Sequence, residues 1–379
     1  MKIALLTDGI HPYVIGGMQK HSFYLAKYFA KNRVQVDLYH TNKSRFEINK
    51  LEFFSDEEKK FIRSFVVDFP VFRKFPGHYI RESFEYSRRI FELFRKNSEV
   101  DFIYAKGFCG WKLIDEKKKG FQCASIGVNF HGYEMFQKAP SLKSIIEQRI
   151  FLRNPVFFNA RNSDFVFSYG GKITDIILEI GIDAGKIIEI PAGIESSWII
   201  DKIKTAGQKR KFLFVGRYER RKGIEELYVA LNEIIKEYDF EFHFVGPIPD
   251  NKKIKCNNVI YHGSISETKM MKTIYDNCDI LVVPSYSEGM PNVILEAMAS
   301  GLSIIATDVG AVNLLISSSA GWLIKPNNKL ELKKAMINAI ELPEYDLNVL
   351  KQNSAAHIRQ NFLMDQIITK LIKHISLLK

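Results

Sequence analysis

The feature that most restricts this chain is a rhythm, in which short runs rich in β-branched and aromatic residues are each followed by a stretch of helical periodicity. In the first half, "KIALLT", "VQVDLYH", "DFIYAK" and "CASIGVNF" alternate with "KHSFYLAKYFAK" and "SFEYSRRIFELFRKN". Such alternation implies a parallel sheet wrapped by helices. After a polar stretch at 201–210 the rhythm restarts with "KFLFVGR", "FEFHFVG", "VIYHGSI", "DILVVPS" and "LSIIATD". Two Rossmann-like sheets are expected. A chain of 379 residues is too long for one hydrophobic core, and 46% hydrophobic residues can fill two. Periodicity lapses at roughly 196–209, where the chain turns Lys-rich. The expected division is therefore 1–200 and 201–359, followed by a helical tail. Ligands of open α/β sheets bind beyond the carboxyl ends of the strands, so two such domains facing each other across a deep interdomain cleft would place their site there.

Composition narrows the partners. A net charge of +11 favours an anionic one. The basic residues are interspersed with acids, and no zinc finger, basic zipper or RNA-binding signature accompanies them, so no nucleic acid is expected. Cys109, Cys123, Cys256 and Cys278 form no C-x-x-C pair and no short metal spacing. Reduced thiols in a cytoplasmic protein, with no metal site, are the reading. The opening "MKIALLTDGIHPY" reads as a first strand rather than a secretion signal. No uncharged apolar run reaches the ~18 residues a membrane-spanning helix needs, so any membrane contact is expected to be peripheral.

Several short stretches could carry chemistry. "KFLFVG" runs into "RYERRKGIEELYVAL", which places Arg217 at a strand end and Lys222 just before a helix beginning near Gly223. Two cations at a helix start suit a diphosphate, whose departing charge they neutralise. A solvated basic turn is the alternative, because Arg220 and Arg221 stand beside them. "DILVVPSYSEGMPNVILEAMASG" gives a strand, a loop holding Glu288, and a helix expected over about 291–300 with Pro291 as its first residue. Proline has no N–H, so Asn292 and Val293 are the donors available to a phosphate. Glu296 stands more than a turn inside that helix, among apolar residues. Two carboxylates so placed can address different parts of an elongated ligand, and vicinal sugar hydroxyls are natural partners. Capping or salt bridging is the alternative for each. At the front, Gly16 and Gly17 lie in a strand–loop–helix segment where backbone can approach a ligand. His131 in "VNFHGYEMF" follows a strand directly. No D-x-D, G-x-x-x-x-G-K-[ST] or G-x-S-x-G is present, which leaves kinase-like and serine-hydrolase chemistry without support.

Taken in order, "GG" at 16–17, "HG" at 131–132, "IPAGI" at 190–194, "VGR…RKG" at 215–223, "YHGSIS" at 261–266 and "PSYSEGMPNVILEAMASG" at 284–301 resemble the GT-B-fold retaining glycosyltransferases of the large family four. The resemblance implies that Arg217 and Lys222 hold the diphosphate of a sugar-nucleotide donor. It implies further that Glu288 binds a hydroxyl of the transferred sugar, Glu296 takes the ribose hydroxyls, and Gly289, Met290, Asn292 and Val293 line the donor. Gly16 and Gly17 would lie beside the phosphates, and His131 near the reacting carbon. Transfer would retain the anomeric configuration and need no metal or other cofactor. The last helix, roughly 360–379, would pack back on the first domain. One departure stands out: relatives frequently carry a double glycine and a glutamate after "IIATD", where this chain reads "VGAVNLLI" with Ala311 and Asn313.

The expected activity is transfer of a sugar from a nucleotide-diphosphate sugar, UDP first and GDP second, to a saccharide or lipid-linked saccharide. Such products serve surface polysaccharide, lipopolysaccharide or another glycoconjugate. A sugar-nucleotide epimerase, a phosphorylase and a noncatalytic saccharide- or nucleotide-binding subunit are the alternatives. Base recognition is expected near Gly246 and Gly263–Ile265. Two basic, aromatic stretches, "KKFIRSFVVDFPVFRKFPGHYIRESFEYSRRIFELFRK" and "SLKSIIEQRIFLRNPVFF", could meet anionic lipid at the inner face of the cytoplasmic membrane, or could bury their aromatic residues in the core.

Overall fold

A computed structural model describes residues 1–41 and 53–378. It contains two compact units. The first comprises Met1–His131, Lys143–Ala192 and Met364–Lys379, and the second Gly132–Leu142 and Gly193–Leu363.

The first unit is built on seven parallel strands: β1 (Lys2–Leu6), β2 (Gln35–His40), β3 (Ile62–Val66), β4 (Phe102–Lys106), β5 (Ser125–Asn129), β6 (Phe165–Ser168) and β7 (Ile187–Glu189). Their order is β3-β2-β1-β4-β5-β6-β7. The second holds six: β8 (Arg210–Val215), β9 (Phe240–Val245), β10 (Val259–Tyr261), β11 (Ile280–Val283), β12 (Ser303–Thr307) and β13 (Gly321–Ile324), in the order β10-β9-β8-β11-β12-β13. Every pairing is parallel, as strand–helix alternation demands. Helices cover both faces of such sheets, which is why β4, β11 and β12 are buried at every residue and read as unbroken apolar runs. In each sheet the strand order reverses once, between β1 and β4 in the first and between β8 and β11 in the second. A crevice opens beyond the carboxyl ends at such a point.

The strands read from sequence are present, and β3, β6, β7 and β13 join them. The contact division falls at Ala192–Gly193 rather than at 200, because Ile194 pairs with Leu363 and its N–H bonds Phe362 O at 2.9 Å. The helix Met364–Ser376 belongs to the first unit, burying Ile367, Ile368 and Leu371 and placing Asp365 2.8 Å from Lys31. Residue 379 of the expected tail lies outside the described residues.

Of the two basic, aromatic stretches, the first contains β3 and the helix His78–Phe94, whose Tyr86, Ile90, Phe91 and Phe94 are buried. The second forms continuous helical turns from Leu142 to Asn162, on which Leu142, Ile146 and Ile150 are exposed at four-residue spacing. Among the described residues no helix is long and apolar enough to cross a membrane, and no group of three or more His, Cys, Asp or Glu could hold a metal ion.

Candidate functional site

In the second unit the two loops at the switch point meet backbone to backbone. β8 leads into Gly216, Arg217 and a 3-10 turn, Arg220–Lys222, closed by Gly223 at φ 68°. A Cβ on Gly223 would lie 1.9 Å from the carbonyl oxygen of Pro284, so only glycine permits the approach. Pro284 opens the loop after β11 that carries Glu288.

The contact brings opposite charges together. Lys222 Nζ donates to Glu288 Oε1 at 2.7 Å, Ser285 Oγ donates to the same oxygen at 2.8 Å, and Arg221 Nη1 stands 3.6 Å from Oε2. Arg221 also donates to Ser287 O at 3.0 Å. Burial alone would raise the Glu288 pKa, but the charges of Lys222 and Arg221 and the bonds from Lys222 and Ser285 hold it down at about 2. Glu288 is therefore a fixed anion, and a carboxylate that accepts hydrogen bonds rather than protons.

Gln137, Gly310 and Ala311 surround the Glu288–Gly289 backbone. Gln137 Nε2 donates to Glu288 O at 2.7 Å while Glu288 N–H reaches Gln137 Oε1 at 3.4 Å. On another side Gly310, at φ 56°, lies so close that a Cβ would sit 2.2 Å from Glu288 O. Ala311 N–H then bonds Gly289 O at 2.8 Å, so Ala311, in the departing "VGAVNLLI", supports the loop through its backbone.

The neighbouring basic residues are not a solvated turn. Arg220 grips Glu226 with two 2.6 Å bonds and donates to Tyr286 Oη at 2.8 Å, with its guanidinium 4.8 Å from the Tyr286 ring centroid. Tyr286 Oη in turn lies 2.8 Å from Glu226 and Asn327. This clamp anchors the turn from which Arg221 and Lys222 project.

The other expected residues are placed as follows. Arg217 leaves β8 with its side chain 69% exposed and paired to Glu219 at 3.0 Å, outside the Lys222–Glu288 group. The helix is Asn292–Ala299; Pro291 stands just before it, in extended conformation with ψ 123°, so the expected start is corrected by one residue. Asn292 and Val293 form its first turn. Met290 is fully buried, backbone included, and Gly289 receives the Ala311 bond. Glu296 is buried to 8% exposure and accepts from Tyr275 Oη at 3.0 Å.

The first unit has its own cluster at its switch point. Lys106 ends β4 wholly buried, its Nζ 2.8 Å from His21 Nδ1 and bonded to Asn129 Oδ1. Burial pulls its pKa down to about 7, opposed by the charges of Asp8 and Cys109. Burial and then the charges of Lys106 and His131 hold His21 neutral, well below its usual range. His131 follows β5 with Nδ1 2.9 Å from Tyr169 Oη, and Tyr169 Oη donates to Asn129 Oδ1 at 3.4 Å. Gly16 and Gly17 lead into the helix Gly17–Lys31; a Cβ on Gly16 would strike Gln19 Oε1, whose side-chain amide holds Asp8 at 2.9 Å.

Arg221, Ser285, Gln137, Tyr275 and Lys106 were not singled out from sequence. A lysine closing an apolar strand was a readable signal; the other four acquire their partners only through folding.

Comparison with known proteins then bears on this geometry. Residues 15–198 match the family model described as Glycosyltransferase Family 4, and residues 209–341 the one described as Glycosyl transferases group 1. Over 202 residues the chain is 27% identical to N,N'-diacetylbacillosaminyl-diphospho-undecaprenol alpha-1,3-N-acetylgalactosaminyltransferase of Campylobacter jejuni, covering 52% of this chain and 53% of that protein. The match thus spans about half of that relative. Among solved structures, sucrose-phosphate synthase from Thermosynechococcus elongatus superposes with a TM-score of 0.79 at 19% identity, covering 100% of this chain and 98% of that one. Anabaena Alr3699/HepE in complex with UDP and glucose gives 0.68 at 18% identity, with 99% of each chain covered. These likenesses establish the GT-B fold of two parallel-sheet α/β domains.

Proposed function

The chain belongs to the glycosyltransferases of family 4 and group 1, and from that premise we propose that it is a retaining transferase that moves a sugar from a nucleotide-diphosphate sugar to a saccharide or lipid-linked saccharide during surface glycan assembly. The observation that carries the reading is the Lys222–Glu288 pair at the switch point of the second sheet.

Lys222 has three N–H groups and spends one on Glu288, leaving two for phosphate oxygens. With Arg217 and the helix start at Asn292–Val293, it would stabilise the diphosphate as it leaves, with no metal needed for that task. Glu288, ionised and already paired, is a poor base, which suits it to accept hydrogen bonds from sugar hydroxyls. The bond between the anomeric carbon and the diphosphate oxygen would break as the acceptor oxygen bonds to that carbon from the same face. The acceptor's proton passes to the leaving phosphate oxygen, and the nucleoside diphosphate departs. Glu296 would take the ribose, positioned by Tyr275. His131 would lie near the reacting carbon, and Gly16 and Gly17 beside the phosphates.

UDP is the first donor nucleotide, a choice supported by the UDP held by HepE. The Campylobacter relative's diphospho-undecaprenol name supports a lipid-linked acceptor. Peripheral contact with an anionic membrane belongs to the same proposal, supported by the exposed row Leu142, Ile146 and Ile150 with Arg149 and Arg153 in the same helical turns. Failure to float with anionic vesicles at moderate salt removes that part.

A thermal-shift panel with UDP, GDP, ADP and CMP and their sugar conjugates, with and without divalent metal, tests the donor reading. A ligand at 100 times its Kd adds roughly 2.7 kcal/mol of stability. Stabilisation by one base supports the proposal, and silence throughout at millimolar ligand overturns it.

A further inference from the structure

The segment Gly132–Leu142 of the second unit brings a further carboxyl to Glu288. Glu134 opens a 3-10 turn, Glu134–Phe136. A Cβ built on Gly132 would lie 3.4 Å from Glu134 Oε2, 3.4 Å from Gly289 N and 3.7 Å from the carbonyl carbon of Glu288. The Glu134 carboxyl and the Glu288–Gly289 peptide therefore flank one small volume, left open because residue 132 has no side chain. Gln137, just past the same turn, bonds both the C=O and the N–H of Glu288, which ties the turn carrying Glu134 to the loop carrying Glu288.

Two charged groups bear on Glu134: Arg221 from the turn after β8 and Glu288 from the loop after β11. Burial raises its pKa, a bond to its own backbone and the Arg221 charge oppose this, and the Glu288 charge adds to it. Arg221 is already engaged with Ser287 and Glu288. Two carboxyls thus stand near one another with acidities pushed apart, Glu288 downward and Glu134 upward. Such pairs mark groups with different tasks. A glutamine would fill the same space without placing one anion beside another, so packing alone does not account for the residue. An ionised carboxylate offers a phosphate no donor, whereas a hydroxyl can bond either form of the carboxyl.

We propose that Glu134 contacts a hydroxyl of the donor's transferred sugar and discriminates between sugars, while Glu288 takes a different hydroxyl. This rests on the donor reading given above. Protonated, Glu134 both donates and accepts; ionised, it only accepts, so sugar affinity changes with pH through this residue.

The test compares the full chain with Glu134→Ala and Glu134→Gln, measuring affinity for UDP and GDP alone and for UDP-glucose, UDP-N-acetylglucosamine and GDP-mannose. The expected result is that Glu134→Ala weakens the preferred sugar nucleotide at least fivefold and changes the bare nucleoside diphosphate less than twofold. Glu134→Gln should recover part of that affinity and flatten its pH dependence. Equal weakening of both ligand types, or no change in either, overturns the proposal while leaving the donor reading standing. A wild-type chain that binds none of these ligands overturns both. A melting curve for each variant separates misfolding from loss of contact, and Glu134→Gln keeps the comparison decisive if the alanine variant does not fold.

Discussion

Lys222 and Glu288, 66 residues apart in sequence, are joined by a 2.7 Å hydrogen bond between the turn after β8 and the loop after β11. The pair ties the two loops at the switch point together, and its chemistry is sensitive to acid.

The Glu288 pKa falls on folding from 4.5 to about 2, so the stability it contributes is fully present above the unfolded value and lost as pH drops through the folded one. The unfolding free-energy difference between wild type and Glu288→Gln should shrink from pH 5.5 to pH 2, by on the order of 2 kcal/mol. Urea titrations across that range check it. A constant difference contradicts the pairing.

Lys106 gives the same sign of pH dependence higher on the scale, but as a burden on the folded state rather than a gain. Its folded pKa, about 7, lies below the unfolded 10.5, so between those values the unfolded chain binds more protons and stability rises with pH. Lys106→Met removes the burden of a buried charge. Its stability relative to wild type should be greatest at pH 7 and below, and should decline toward pH 10. The slope is the readout, because the variant also strips partners from His21 and Asn129.

Glu296→Ala should reduce nucleoside diphosphate affinity about tenfold or more, near 1.4 kcal/mol, by calorimetry. Tyr275→Phe, which removes the bond to Glu296 Oε2, should show a smaller loss in the same direction. Unchanged affinity in the first variant refutes the ribose assignment.

Arg220→Ala should destabilise the second unit by about 3 kcal/mol, since it leaves Glu226, only 3% exposed, without its bidentate partner. Turnover should fall with it, as the turn presenting Arg221 and Lys222 loses its anchor. Wild-type melting in this variant would return Arg220 to the status of a surface charge.

Deleting 364–379 uncovers Met364, Ile367, Ile368, Leu371 and Ile375, all buried in the first unit. At roughly 1.5–3 kcal/mol per buried aliphatic side chain, the loss rivals the net stability of a domain. The truncated chain should melt without cooperativity in the first unit, or not accumulate. An unaltered melting profile contradicts this.

Legibility followed burial in most strands, with β10 read despite its place at a sheet edge and the four-residue β6 missed despite its burial. β4, β11 and β12 are covered on both faces and announce themselves as apolar runs. β3, β7 and β13 stand at sheet edges, are short or half exposed, and carry no such run. The start of the helix at Asn292 was displaced by one residue because Pro291 serves as its extended lead-in rather than its first turn. The alternating periods and the order of the short motifs determined by themselves a parallel α/β architecture, two sheets and the family, because those signals are local. Which charges meet was decided only by tertiary structure. Arg220 and Lys222 stand two residues apart in sequence, yet one buttresses Glu226 and the other holds Glu288. Gln137 reaches Glu288 across 151 residues. Such pairings depend on which strand ends lie side by side, and that follows from strand order, which no local pattern encodes.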